Sequence, residues 1–270
     1  MSENATLGQT AEPVGTPVRV SLPASVPYVT YSIIGLTVLV YLLQLASVAL
    51  YPNVAGPACA RSVAGGDLLE LFGARINACI RAGELWRFLT PVLLHGSMPH
   101  ILFNMYALWA FGAGLERHFG HGRFLTLYVL GGFTGNVLSF VLSDGYSVGA
   151  STAIFGLVAA EGMFLYQNRG LFGRQFGRAI GNVVFVVAVN LVLGLSPGID
   201  NWGHVGGLLG GLVFTWFAGP TWELQQTGAG LGGNPALVLV DRREPREVVI
   251  GAATVLLIFG ALAVWGLLLR

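Results

Sequence analysis

Seven stretches of this chain are apolar enough to be read as bilayer spans, at residues 28–50, 99–119, 124–142, 148–166, 178–195, 202–218 and 248–268. Several reach the roughly 20 residues that a spanning helix needs. A β-barrel would instead show segments of about ten residues with alternating hydropathy, and none is found. Only 10% of the residues are charged and 54% are hydrophobic, against about a quarter charged in soluble domains. The expected class is therefore an all-α polytopic membrane protein, a bundle of six helices plus one C-terminal transmembrane helix.

The segments between the spans divide the chain further. Residues 1–27 are polar and Pro-rich; they read as a disordered tail rather than a cleavable signal. The core is expected over 28–218, with an extended first loop at 51–98. There Arg75, Arg81, Glu84 and Arg87 alternate with Leu85, Trp86, Phe88 and Leu89. That pattern suits short helices in the membrane interface, with Trp86 and Arg87 at headgroup level. Residues 219–247 read as a polar, Gly-rich linker before the seventh span, 248–270. Cys59 and Cys79 share the first loop, and one disulfide or two free thiols are both open.

Every basic residue is an arginine and the net charge is +1, which makes no case for nucleic-acid binding. The arginines fall mainly in the tail and in the loops after the second, fourth and sixth spans, whereas the loops after the third and fifth hold none. Under the positive-inside rule the amino terminus is cytoplasmic. Arg61, Arg75, Arg81 and Arg87 of the first loop run against the count, but that loop is long. Ser151 and His204 then both lie near the outer ends of their helices.

Taken alone, Ser151 in Gly149-Ala150-Ser151-Thr152-Ala153-Ile154-Phe155-Gly156 is a small hydroxyl residue at a helix contact. His204 in Asn201-Trp202-Gly203-His204-Val205-Gly206-Gly207 changes that reading, because ionisable side chains inside spans are rare and face cavities or partners. Serine needs a base within hydrogen-bond reach to attack a carbonyl, and His204 supplies one. Gly203, Gly207 and Gly211 recur at every fourth residue, which puts a groove on one helix face and permits close approach to another helix. Acyl transfer also needs donors for an oxyanion. His100 and Asn104 share one face of the second span and can both donate. Asp200 lies at the water boundary, so a Ser/His dyad is expected rather than a triad. A metal site built from His95, His100 and His204 is disfavoured: there is no His-Glu-x-x-His motif and no nearby carboxylate within a span except Glu161. No cofactor is implied.

These residues resemble the motifs of the rhomboid intramembrane serine proteases, in order, from Trp86 to Gly211. Trp86-Arg87 is similar to the first-loop signature, and His95 with His100-Ile101-Leu102-Phe103-Asn104 to the second-helix motif. Gly149-Ala150-Ser151 and Gly203-His204-Val205-Gly206-Gly207 are similar to the nucleophile and base motifs. The resemblance implies Ser151 as nucleophile and His204 as general base, with His100, Asn104 and the Ser151 backbone amide binding the oxyanion. It places Phe155 against the imidazole and makes the first loop a structural platform. Supporting positions are His95, Asn201, Trp86 and Arg87. The implied activity is cleavage of other membrane proteins in or near their transmembrane segments, at the cell membrane, with the site opening to the outer side. His95, Ser97, His100, Asn104, Asn201 and His204 are expected to line a water-filled pocket there. A non-proteolytic rhomboid-like protein that binds membrane clients is the alternative; a small transporter would show inverted repeats, and none is seen. The family often has glycine after the serine, where this chain has Thr152.

Overall fold

The computed structural model describes residues 25–51, 54–60, 67–229 and 235–269; residues 1–24 of the tail and Arg61 lie outside them. Helix α1 spans Tyr28–Leu50, and its inward face is Thr30, Ile33, Thr37, Tyr41, Gln44 and Ser47. Leu36, Leu39 and Leu43 face outward. The three- and four-residue spacing turns a mostly polar stripe toward the protein and leaves the leucines for lipid, as expected where hydrocarbon is the solvent.

The first loop folds into α2 (Leu68–Gly73), α3 (Asn77–Arg81) and short 3-10 turns, and Cys59 and Cys79 are joined in a disulfide. Arg87 departs from the interfacial expectation. It is completely buried, donating to the carbonyls of Leu71 and Ala74 at 2.7 Å each and pairing with Glu84 at 2.6 Å. These orphan carbonyls lie at the end of α2, where a guanidinium gains more from fixed acceptors than from headgroups. Trp86 stays half exposed, with its Nε1 donating to the carbonyl of Phe72.

The second span is built in three pieces: α4 (Met98–Ala107), a π-helical turn (Leu108–Gly112) and α5 (Ala113–Phe119). Ser97 caps α4 and a proline sits in its first turn. Glu116 of α5 is fully buried and accepts from the N–H groups of Val29 and Thr30 at 2.9 and 2.7 Å. It therefore caps the start of α1, where a carboxylate meets the positive end of the helix dipole.

The remaining helices are α6 (His121–Leu142), α7 (Ser151–Gln167), α8 (Arg169–Phe172), α9 (Phe176–Leu193), α10 (Asn201–Ala218) and α11 (Pro245–Leu269). Among the described residues, four helices are long and apolar enough to cross a membrane: Tyr28–Leu50, His121–Leu142, Arg169–Leu193 and Pro245–Leu268. The other three spans, at 98–119, α7 and α10, are shorter, interrupted or less apolar. They hold the candidate site.

Helices α6, α7 and α10 form the centre of the bundle, packed through the glycine face read from the sequence. A Cβ on Gly207 would lie 2.0 Å from the carbonyl oxygen of Thr152, and one on Gly211 2.2 Å from that of Gly156. No side chain fits at either position, so the backbones of α7 and α10 touch. Helix α11 docks on the same core, with Gly251 against Phe214 and Gly266 against Phe140.

Residues 219–247, read as a linker, carry a two-stranded sheet of β1 (Trp222–Ala229) and β2 (Pro235–Asp241). The run Leu237-Val238-Leu239-Val240 has the branched, apolar character of a strand, which the surrounding glycines obscure.

Candidate active site

Two helix starts meet at the site. Residues 148–150, read as part of the fourth span, are not helical. Gly149 has φ +128°, a conformation that L side chains rarely adopt, and its N–H donates to the carbonyl of Pro91 at 2.9 Å. The turn makes Ser151 the first residue of α7. Its backbone N–H is thus one of the unsatisfied donors at the positive end of a 17-residue helix. On α10, Asp200 caps the first turn by accepting from Gly203 N–H at 3.0 Å, and His204 follows within that turn.

His204 Nε2 lies 3.0 Å from Ser151 Oγ. The imidazole stacks on the Phe155 ring, centroids 4.2 Å apart and planes inclined by 10°. Its Nδ1 is buried with no partner among the described residues. Asp200 turns elsewhere, accepting from Ser139 Oγ at 2.6 Å. Among the described residues, His204 thus faces Ser151 with no carboxylate bonded to its other nitrogen.

On the opposite side stand His100 and Asn104 from α4. A Cβ on Gly149 would lie 2.7 Å from His100 Nε2 and 3.5 Å from Asn104 Nδ2, so both donors converge on the turn that precedes Ser151. His95 sits behind them, almost completely buried. Its Nε2 lies 3.0 Å from Asn104 Nδ2 and 3.5 Å from Ala150 N, and both neighbours are donors. Burial, reinforced by the adjacent His100, pushes His95 down to about 3. The ring is therefore neutral and can accept. Gln44 of α1 fixes the His95 backbone, accepting from its N–H at 3.0 Å and donating to its carbonyl at 3.3 Å.

A cavity of about 790 Å³ opens over Ser151 and His204 between α4, α7 and α9. Ser97, His100, Asn104, Ser151 and His204 line its polar end, and Phe103, Tyr106, Ile154, Val158, Val186 and Val187 its apolar walls. His95 and Asn201, expected in the lining, are not part of it. Asn201 instead donates to the carbonyl of Leu191 at 3.2 Å, tying the end of α9 to the start of α10.

Residues 82–221 match the Rhomboid domain model, more than half of the 270 residues. The chain belongs to the rhomboid family. It is 43% identical over 164 residues to rhomboid protease GluP of Bacillus subtilis (strain 168), covering 60% of this chain and 31% of that protein. It is 34% identical over 207 residues to RHOMBOID-like protein 1 of Arabidopsis thaliana, covering 75% and 53%. RHOMBOID-like protein 9, chloroplastic, of the same plant is 32% identical over 160 residues, covering 59% and 37%. The chain thus spans from about a third to about half the length of these relatives.

Thr152, which follows Ser151, is buried away from the cavity. Its side chain occupies space left by two glycines: a Cβ on Gly135 would lie 2.5 Å from Thr152 Cβ, and one on Gly203 3.0 Å from its Cγ2. The β-branched residue fills a gap between α6 and α10 and leaves the helix start intact. Thr152→Gly is expected to cost about 1–2 kcal/mol of stability, as the removal of a few packed atoms does. Labelling of Ser151 by a fluorophosphonate should change less than about threefold, the scale of under 1 kcal/mol. Thermal melting and labelling rate of the purified protein check the two parts separately.

Gln44, Arg75 and Ser139 also support the site. Gln44 had a signal, the inward polar stripe of α1. Arg75 and Ser139 had none, because their partners are far away in the chain.

Proposed function

We propose that this rhomboid is an intramembrane serine endopeptidase that hydrolyses peptide bonds in or near transmembrane segments of other membrane proteins. The observation that carries this reading is the 3.0 Å approach of His204 Nε2 to Ser151 Oγ, two groups 53 residues apart, at the polar end of a cavity with hydrogen-bond donors opposite.

Ser151 Oγ attacks the scissile carbonyl while His204 Nε2 takes its proton. The oxyanion receives the Ser151 N–H at the start of α7, the His100 imidazole N–H and an Asn104 amide N–H. His95 accepts from Asn104 and so holds the amide in its orientation. Collapse of the tetrahedral intermediate breaks the C–N bond, and the imidazolium gives its proton to the departing amine. Water, deprotonated by the same imidazole, then cleaves the acyl ester. Phe155 keeps the ring facing Ser151 throughout.

A transmembrane substrate hides its carbonyls in helical hydrogen bonds and must unwind to reach Ser151. The apolar walls between α4 and α9 suit such a segment arriving from lipid, and the polar end suits the unwound stretch. The arginine distribution supports a cytoplasmic amino terminus and a site open to the outer side. The Cys59–Cys79 disulfide agrees with an oxidising compartment on the side of the first loop.

Cleavage of a transmembrane reporter in liposomes tests the reading. Wild type should release product and Ser151→Ala none; equal cleavage by both would overturn the assignment. Client binding by both without any cleavage would favour the non-proteolytic alternative.

A further inference from the structure

Arg75 is fully buried, lies outside the spans, and has no part in the chemistry above. Its backbone and its side chain go to different halves of the site. The Arg75 N–H donates to the Ser147 carbonyl at 3.0 Å, and its own carbonyl accepts from Ser147 N–H at 3.2 Å. Ser147 stands four residues before Ser151. The guanidinium Nε lies 3.7 Å from Asp200 Oδ2, and Asp200 stands four residues before His204.

Both connections continue into the helices that carry the dyad. Asp200 accepts from Ser139 Oγ at 2.6 Å, which holds it against the end of α6. It accepts from Gly203 N–H at 3.0 Å, and its backbone carbonyl accepts from His204 N–H at 3.2 Å. Arg75 Nη1 donates to Asn77 Oδ1. The Asn77 amide in turn donates to the carbonyls of Ser143 at 2.7 Å and Phe140 at 3.2 Å. Burial draws the guanidinium below its ordinary value, and the Asp200 and Asp144 carboxylates draw it back up. A buried cation of this kind depends on its anion.

We infer that Arg75 and Asp200 are a positioning pair: one residue braces the turn leading to Ser151 with its backbone and the helix start carrying His204 with its side chain. The pair acts through geometry, since His204 Nδ1 has no partner among the described residues and donates nothing to the Asp200 carboxylate, which is not a third member of the dyad. A shift of about 1 Å in either helix start opens the contact between Oγ and Nε2, a misplacement worth as much as about 100-fold in rate. The inference rests on the proposed Ser/His chemistry.

The test uses the purified full chain, with the rate of fluorophosphonate labelling and the kcat and KM for a transmembrane reporter. Arg75→Gln and Asp200→Asn should each lower labelling and kcat about 10- to 100-fold, with KM within about threefold, the scale of under 1 kcal/mol. The double variant leaves no unpaired buried charge and should be no slower than the slower single, as coupled neighbours are. Arg75→Lys, which keeps the backbone bridge and a cation, should recover part of the loss. Single variants labelling within about twofold of wild type would overturn the pair, as would losses that multiply in the double. Should a single variant fail to fold, a double labelling at the wild-type rate overturns it. Labelling of Ser151→Ala would instead overturn the dyad itself, which separates the two failures.

Discussion

Replacing His204 by alanine is expected to lower cleavage of a transmembrane reporter by about 10⁴-fold or more, the loss seen when a serine hydrolase loses its base. The size follows from the chemistry of the hydroxyl. A serine hydroxyl with its ordinary pKa is almost never ionised near neutral pH, and His204 Nε2 at 3.0 Å is the group placed to take its proton. Among the described residues no other is placed to substitute. Asp200 is committed to Ser139 and Gly203, and His100 faces Gly149 from the donor side. Alanine also leaves a gap against Phe155, so His204→Gln is the companion variant: it keeps polar bulk over the ring but cannot act as a base. Equal losses in both variants, with melting temperatures near that of wild type, would assign the effect to proton transfer. Cleavage by His204→Gln within about tenfold of wild type would contradict it, because general-base catalysis contributes at least about 100-fold.

The second large effect is expected at Gly149. Its φ of +128° excludes ordinary side chains without strain, and its missing Cβ leaves the space that His100 Nε2 approaches to 2.7 Å. Gly149→Val must either move the turn, and with it the N–H of Ser151, or push His100 off its station. Either change misaligns the donors that the proposed mechanism aims at the oxyanion. The expected cost is about 10²- to 10³-fold in kcat, the scale of losing one such donor. Gly149→Ala should fall between that and wild type. KM should change little, because the apolar walls that would hold the substrate are untouched. Steady-state kinetics on the reporter check this, and a rise in KM at constant kcat would place Gly149 in binding instead.

Much of this architecture was legible in the sequence because the bilayer imposes one rule, that apolar runs become helices. All seven runs are helical, and the glycine face of α10 meets α7 as its spacing implied. The start of α7 was read three residues early: Val148, Gly149 and Ala150 are apolar, but hydropathy is blind to a backbone that must turn with positive φ. The mixed charged and apolar pattern of the first loop points Arg87 to the interface, whereas the carbonyls of Leu71 and Ala74 claim it. The sheet at Trp222–Asp241 was hidden by its glycines.

The candidate site divides along the same line. Ser151, His204, His100 and Asn104 stood out because polar groups in spans demand explanation, and they converge. Gln44 was equally conspicuous by composition, but its partner is the backbone of His95, and no side-chain pattern announces a backbone acceptor. Arg75 pairs with residue 147 through its main chain and with residue 200 through its side chain. Contacts of that range follow from the fold and cannot be read before it. Asn201, expected in the pocket with the other polar residues of the outer side, is taken by the end of α9 instead.

The central claim is that Ser151 is made nucleophilic by His204. It is tested most directly by treating detergent-purified wild type, Ser151→Ala and His204→Ala with a fluorophosphonate probe side by side, with each protein first shown to be folded by thermal melting. Labelling of wild type alone is the expected result; labelling of Ser151→Ala, or of His204→Ala at the wild-type rate, would contradict it.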